Sequence, residues 1–524
     1  MKFFTTEGPV NPNDHYCLPP LDRFDLNDIL NLIAQKKYFL LHAPRQTGKT
    51  TSLQALMAYL NKEKIYRALY VNIEGAQAAR ENVAQGIAAV IHAISSAAKW
   101  GLEEGDVDSL ARKTLAEKPA LVALEQFLTS WCAGSIRPTV LMLDEVDALV
   151  GDTLISLLRQ LRAGYPTRPT HFPQSIILCG VRDLQDYRIH SGSEKAIITG
   201  GSAFNIKAES LRLGDFTREE VLTLLHQHTA ETGQVFEDEA SNRIWDYTCG
   251  QPWLVNALAY EACFKMKEGR DRTLPITAEM ILQAKERLIQ ARVTHLDQLT
   301  DKLQEPRVRR VIEPMIAGMM ITESSDDDRQ YVIDLGLVKR EGSGGLVIAN
   351  PIYREVIPRM LAGGPQDSLP HISPTWLKPD GSLDVENLLE TFLSFWRQHG
   401  EPLLGSAPYH EIAPHLVLMA FLHRVVNAGG TIDREYAIGR GRMDLCVRYA
   451  GAILGIELKV WRDGEPDPLS EGLEQIDGYL QGLGLNTGWL VIFDRRSGRP
   501  RIRERTEKES GKTRSGKEIS VVRA

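Results

Sequence analysis

Short apolar runs, each ended by a polar or glycine stop, recur through the first part of the chain: Tyr38-Phe39-Leu40-Leu41, Arg67-Ala68-Leu69-Tyr70-Val71-Asn72-Ile73, Thr139-Val140-Leu141-Met142-Leu143, Ser175-Ile176-Ile177-Leu178-Cys179 and Glu209-Ser210-Leu211-Arg212-Leu213. Runs of this kind, apolar at nearly every position, are what parallel strands covered on both faces by helices require. Between them the pattern is helical. A short helix begins near Asp25, another follows Thr50, and a long Ala-rich stretch reaches about Thr129 with polar breaks near Gly105 and Lys118-Pro119. Strand and helix in alternation predict a five-strand α/β unit. At Thr217-Arg218-Glu219-Glu220, a capping box, the pattern changes to amphipathic helices that run to about Val293. Gly250-Gln251-Pro252 interrupts them, and its proline fixes a helix start. The stretch from Gly363-Gly364-Pro365 to about Asp384 is rich in Gly, Pro and Ser and predicts a linker. After it come a helix over about 410–426, strands over 432–438, 442–449 and 453–460, a helix from near Leu469 and a strand over 487–493.

Composition narrows the class. With 524 residues the chain exceeds what one core can organise, so several domains are expected. The formal net charge of −7 gives no whole-molecule basic field, so a polyanion would have to be met by local patches. Six scattered cysteines without CxxC spacing argue against a disulfide framework or a zinc site. No secretory pattern follows Lys2-Phe3-Phe4 and no apolar run has membrane-spanning length, so the expected setting is a reduced cytoplasm with no membrane partner.

Candidate chemistry appears first at Ala43-Pro44-Arg45-Gln46-Thr47-Gly48-Lys49-Thr50, continuing into Thr51. It lies between a strand and a helix, the setting in which loop amides and a helix N-terminus cradle phosphates. Lys49 would place a point charge on the phosphates, and the Thr50 hydroxyl can hold Mg²⁺. Ala43 stands where the GxxxxGK[ST] pattern has Gly, which is workable unless the backbone there needs positive φ. Further on, Asp144 and Glu145 close an apolar strand, where a parallel sheet presents carboxylates to ligand. Asp144 is expected to reach Mg²⁺ through water and Glu145 to orient or deprotonate the attacking water. Arg182 ends the strand that follows, and its reading as a solvated strand-end charge stays open.

The order of this loop, Asp144-Glu145, the strand ending in Arg182 and the helices carrying Gly250-Gln251-Pro252 resembles the AAA+ superfamily, more narrowly its signal-transduction (STAND) branch and related bacterial and archaeal AAA-like ATPases. The resemblance spans about residues 21–361. It implies ATP and Mg²⁺ as ligands, Arg182 as a γ-phosphate sensor and Pro252 in a turn able to rest on adenine. It also implies a winged-helix unit after the lid, fitted by 307–319, 331–340 and 344–349. Such units pack on the nucleotide and report its state, although others bind DNA. Arg159 and Arg162 are candidates for an arginine finger toward a neighbouring subunit, so a homo-oligomer stays open.

A second constellation lies near the end. Period-two spacing puts Glu457 and Lys459 on one strand face, and Asp444 on the preceding strand can join them. Two carboxylates with an ammonium suit a Mg²⁺-dependent attack on a phosphodiester. Gln475 and Tyr479, four apart, share one helix face. This set resembles the PD-(D/E)xK nuclease superfamily in its RecB-like form, over about 384–524. The resemblance implies Asp444 and Glu457 as metal ligands, Lys459 as catalytic lysine and Gln475/Tyr479 as the QxxxY pair; Met443 departs from the usual Pro, and Glu411 is the candidate helix acid. Arg495, Arg496, Arg499, Arg501, Arg503 and Arg505 form a basic cluster that is either a solvated face or a backbone-contacting patch, while Arg440 and Arg442 flank the metal face.

The expected fold is therefore α/β: a P-loop parallel-sheet NTPase core (21–215) behind a lead-in (1–20), a helical lid (216–299), a winged helix (300–361), a linker (362–383) and a restriction-endonuclease-like α/β domain (384–524). The expected function is an ATP-driven switch on a nuclease acting on nucleic acid, DNA ahead of RNA, with a role in defence by analogy. Two rivals remain: a nucleotide-dependent nucleic-acid clamp on a silent nuclease fold, and a regulator whose winged helix reads DNA.

Overall fold

A computed structural model describes residues 1–182, 188–190, 197–199, 207–291, 299, 301–316, 321, 324–342, 344–358, 376–406, 413–426, 431–438 and 441–524. The chain divides into two compact units, one of Met1–Leu288 with Ser325–Asn350, the other of Ile289–Ser324 with Pro351–Ala524. The segment 300–361 is thus shared between them. The expected linker falls largely outside the described residues, as do Glu411 and Arg440.

In the first unit the elements run α1 (Leu26–Ala34), β1 (Tyr38–His42), α2 (Lys49–Lys62), β2 (Arg67–Asn72), α3 (Val83–Gly101), α4 (Val107–Glu117), α5 (Ala120–Ala133), β3 (Thr139–Asp144), α6 (Gly151–Ala163), β4 (Ser175–Gly180) and β5 (Lys207–Arg212). The five strands form one parallel sheet in the order β2-β3-β4-β1-β5. The strand ending at Gly180 thus lies between the loop strand and the acidic strand. Every residue of β1, β3 and β4 is buried. Alternate side chains sort onto opposite faces. Leu40, Leu69, Leu141, Leu143, Ile176 and Leu178 join the core built with α3, α5 and α6, whereas Phe39, Leu41, Val140, Met142, Ile177 and Cys179 join the core built with α1 and α2. Each such side chain contributes roughly 1.5–3 kcal/mol on burial, so the uninterrupted apolar runs are what make the sheet central.

The expected breaks in the Ala-rich stretch fall between α3, α4 and α5. Beyond the sheet, α7 (Arg218–Thr232), α8 (Asp238–Thr248) and α9 (Pro252–Tyr260) follow. The capping box forms as read: Thr217 N donates to Glu220 Oε2 at 2.7 Å and Glu220 N to Thr217 Oγ1 at 3.2 Å. Gln251 caps α9 through its side chain, accepting from Leu254 N, with Pro252 in the first turn. The lead-in is pinned by Val10 N to Thr51 Oγ1 and by Trp253 Nε1 to the Thr6 carbonyl, and buries Phe4 and Tyr16. The same unit holds α10 (Asp326–Asp334) and an antiparallel pair, β6 (Val338–Arg340) with β7 (Leu346–Ile348).

The second unit contains the helix Pro306–Ile316, α11 (Val385–Ser406) and α12 (Ala413–Val426), then β8 (Thr431–Ile438), β9 (Gly441–Tyr449), β10 (Ala452–Trp461), α13 (Leu469–Leu483), β11 (Thr487–Asp494), β12 (Glu507–Lys512) and β13 (Glu518–Arg523). Its mixed six-stranded sheet has the order β8-β9-β10-β11-β13-β12, with β10, β11 and β13 parallel. Ile476 and Leu480 of α13 pack on Leu490, Ile492, Ile519 and Val521. At Arg442 and Met443 only the backbone is described.

Candidate functional site

The loop after β1 opens α2 through Gly48, whose left-handed φ of 96° caps the helix and which a side chain could adopt only with strain. Gln46 also has positive φ, but Ala43 does not, so the position that departs from the glycine pattern makes no conformational demand for glycine. Ala43 is buried and donates its N–H to the Gly180 carbonyl at 3.2 Å. Lys49 is only 6% exposed, and its ammonium donates to the Ala43 and Pro44 carbonyls at 3.0 and 2.9 Å. Loop carbonyls thus satisfy the Lys49 ammonium within the loop itself.

Asp144, wholly buried at the end of β3, is the second anchor. One oxygen accepts from Thr50 Oγ1 at 2.7 Å and Tyr70 OH at 2.9 Å, the other from Glu145 N at 2.9 Å. Thr50 and Asp144 thus meet directly, and together they fit the oxygen set a Mg²⁺ ion requires. Glu145 takes a left-handed conformation (φ 60°, ψ 42°), a strained geometry for a side-chain-bearing residue. Burial first, then Asp147 and Asp144, press its carboxyl above the usual range, while Lys49 and Arg45 pull the other way. A carboxyl moved toward neutrality beside a phosphate cradle suits proton transfer.

Arg182 lies within ion-pair distance of Asp327 (3.5 Å) and Asp334 (3.6 Å), and its guanidinium sits 4.8 Å from the Tyr331 ring centre. Its charge is thus balanced on α10, in place of the solvated strand end that was one reading of it. Pro252 is buried at the start of α9, and Arg159 and Arg162 are both exposed on α6.

Several participants were missed from sequence. Arg23 donates to the carbonyls of Thr47 (3.4 Å) and Gly214 (2.5 Å) and stacks on Phe216, tying the loop to the segment that leads into α7. Tyr70 orients Asp144. Gly336, at φ 76°, closes against Pro44 so tightly that an added Cβ would fall 2.8 Å from the proline Cβ. None carries a sequence signal, because each reaches the loop through the tertiary fold.

In the second unit, Leu458 N donates to Asp444 Oδ2 at 2.8 Å, bringing β9 and β10 together at the acidic pair. Glu457 is 3% exposed, its Oε1 lies 3.5 Å from Lys459 Nζ, and its Oε2 is buried with no hydrogen-bond partner. Burial, then the neighbouring Asp444, pushes the Glu457 carboxyl up to about 8 despite the ammonium beside it. Burial opposes the Lys459 charge, but Glu457 and Glu471 outweigh it and hold that pKa above its usual value. Lys459 also donates to Gln475 Oε1, and to Glu471 at 3.2 Å. Glu471 had not been singled out, although it precedes Gln475 by four and shares its helix face with Tyr479. An orphaned buried carboxylate oxygen beside a second carboxylate fits a hard cation. Among the described residues no group of three or more His, Cys, Asp or Glu side chains is placed to hold a metal.

No helix among the described residues is long and apolar enough to cross a membrane. The model of an AAA domain family matches residues 33–187, from the end of α1 past β4. No curated protein matches the chain. Among solved structures, a Walker-type ATPase of Pyrococcus abyssi is 13% identical, with TM-score 0.47 over 68% of this chain and 99% of its own. The RuvB Holliday junction branch migration motor of Thermotoga maritima is 13% identical, with TM-score 0.33 over 64% and 95%. Cdc6p from Pyrobaculum aerophilum is 12% identical, with TM-score 0.34 over 77% and 93%. The parallel sheet, the loop cradle and the family match agree: the chain carries an AAA-like P-loop ATPase domain.

Proposed function

We propose that this chain is an ATP-driven switch whose C-terminal sheet acts as a Mg²⁺-dependent phosphodiesterase on nucleic acid, DNA ahead of RNA. The observation that carries the second half is the meeting of Asp444, Glu457 and Lys459 on the neighbouring interior strands β9 and β10, with Glu457 Oε2 buried and unpartnered. Asp444 and Glu457 would hold the cation. When bound, that cation supplies charge neutralisation and polarises the phosphodiester. Lys459, steadied by Gln475 and Glu471, holds a positive charge where the attacked phosphate gathers negative charge. In the first unit, Lys49 and the loop amides bind the triphosphate, Thr50 and Asp144 hold its Mg²⁺, and Glu145 accepts a proton from the attacking water. Arg182 reads the γ-phosphate by exchanging its α10 carboxylates for it, and Pro252 lies against the base. Defence against foreign nucleic acid is the setting that such a pairing suggests by analogy.

Plasmid cleavage with Mg²⁺ and ATP tests the reading. Lys459→Ala should reduce cutting by about 10²–10³-fold, as expected for loss of a group that stabilises developing charge, with ATP turnover intact. Cutting at equal rates in wild type and Lys459→Ala would remove the nuclease assignment. Retention of DNA without nicking in the wild type would favour the clamp.

A further inference from the structure

A cavity of about 390 Å³ lies at the carboxyl ends of β10 and β11, outside the constellation used above. Its size falls in the range of small-ligand pockets. Four arginines line it: Arg496, Arg499, Arg505 and Arg523. Three acids line it too, but two of them are already engaged. Asp494 receives a two-pronged contact from Arg496 (2.9 and 2.7 Å) and a third from Arg499 (3.2 Å). Asp467 takes Arg523 at 2.9 Å, leaving the exposed Glu507 at the rim. Arg505 differs from its neighbours. Among the described residues no carboxylate stands within ion-pair distance of it, and its Nε is buried with no hydrogen-bond partner. Burial presses its guanidinium below the ordinary arginine value; Asp494 and Glu401 pull the other way, and Arg495 and Arg496 add to the lowering. A half-buried, fork-shaped donor whose Nε is unpartnered, in a cavity lined by four arginines and three acids, suits an oxyanion.

The cavity's position says which oxyanion. Trp461 lines it, two residues beyond Lys459 on β10 and therefore on the same sheet face. Ile492, which also lines it, is in register with Lys459 on one side and Arg523 on the other. Two residues of strand separate cavity and lysine by roughly 6–7 Å. The Trp461 ring centre lies 3.2 Å from the Arg496 guanidinium, which fixes that arginine before any ligand arrives.

We propose that this cavity binds a nucleic-acid phosphate flanking the one attacked at Lys459, with Arg505 as its principal partner. The inference rests on the phosphodiesterase reading of the same sheet and adds a second phosphate subsite to it. The basic cluster of the sequence then divides: Arg505 meets substrate, while Arg496 and Arg499 are held by Asp494 and shape the pocket.

The test measures binding of a short single-stranded oligonucleotide to the full chain without metal, over a salt series, so that cleavage plays no part. Arg505→Gln should weaken binding about tenfold and reduce the salt slope by about one. Arg514→Gln, at an exposed site away from the cavity, should change neither, and Arg505→Lys should recover part of the loss. Inorganic phosphate should compete in the wild type and not in Arg505→Gln. Comparing 5′-phosphorylated with 5′-hydroxyl oligonucleotides tells a terminal from an internal phosphate: a penalty confined to the first marks a strand end, a penalty on both an internal linkage. Equal affinity and equal salt slope for wild type and Arg505→Gln, with unchanged thermal unfolding, would overturn the proposal even if plasmid is cut. Arg505-dependent binding in a protein that never cuts would keep the subsite and discard the phosphodiesterase.

Discussion

The two acidic sites meet their own charge in opposite ways. Asp144 is wholly buried, yet its oxygens accept from Thr50, Tyr70 and the Glu145 amide. Glu457 is almost as deeply buried, yet one oxygen has nothing and the other shares an ammonium 3.5 Å away. A buried carboxylate left short of donors costs far more than one that is satisfied. The first unit therefore holds a cradle that is complete by itself and exchanges internal bonds for ligand bonds. The second holds a buried carboxyl oxygen without a donor, which on the proposed reading a cation would satisfy.

The largest expected effect that sharpens the contrast is at the cradle. Lys49→Ala should lower nucleotide affinity by about 100-fold, close to 2.7 kcal/mol, measured by equilibrium binding of a fluorescent nucleotide. Thermal stability without nucleotide should change little, since only carbonyl contacts are lost. Unaltered affinity would mean that Lys49 does not reach the phosphates.

The next effect is graded by pH. Glu457 has its folded value raised from about 4.5 to about 8, so within that window the folded chain keeps a proton that the unfolded chain has released. Stability from this group is full below about 4.5 and is lost as pH rises through about 8, on the order of 2 kcal/mol after discounting for the nearby lysine. Glu457→Gln should flatten that slope in thermal unfolding of the metal-free protein, and Mg²⁺ should stabilise the wild type more at pH 8 than at pH 6. A wild-type slope matching that of Glu457→Gln would contradict the picture of an unsatisfied carboxyl.

The smallest effect lies at Arg182. Its removal leaves Asp334, 1% exposed, with a hydrogen bond from Gln330 but without the guanidinium 3.6 Å away. That separation is longer than a hydrogen bond, so Arg182→Ala should cost about 1 kcal/mol, seen as a drop of a few degrees in the melting temperature. A change in nucleotide affinity accompanying it would separate sensing from simple packing.

What was legible from sequence was whatever depends on spacing along the chain. The parallel strands, the loop, the Thr217–Glu220 cap and the pairing of Glu457 with Lys459 all follow from local periodicity. Arg23, Tyr70, Asp334 and Gly336 were not legible, because their importance arises from neighbours far along the chain. The lead-in, rich in Pro and Asn and read as ordered or semi-ordered, buries Phe4 and Tyr16, and Phe4 packs against Phe264 and His228. At Ala43, the departure from the glycine pattern had looked like a weakness of the motif, and backbone geometry removes it.

The near-collision of Gly336 with Pro44 gives the cradle a mechanical neighbour. Were the loop to move on admitting a triphosphate, the turn after α10 would have to give way with it, and a load on that turn would bear on the loop. Linkage requires the two to be equal: whatever factor the nucleotide lends to the outward position of the turn, an effector that grips the turn there lends to the nucleotide. With such a coupling the turn would be a place from which nucleotide occupancy could be set without touching the phosphate pocket.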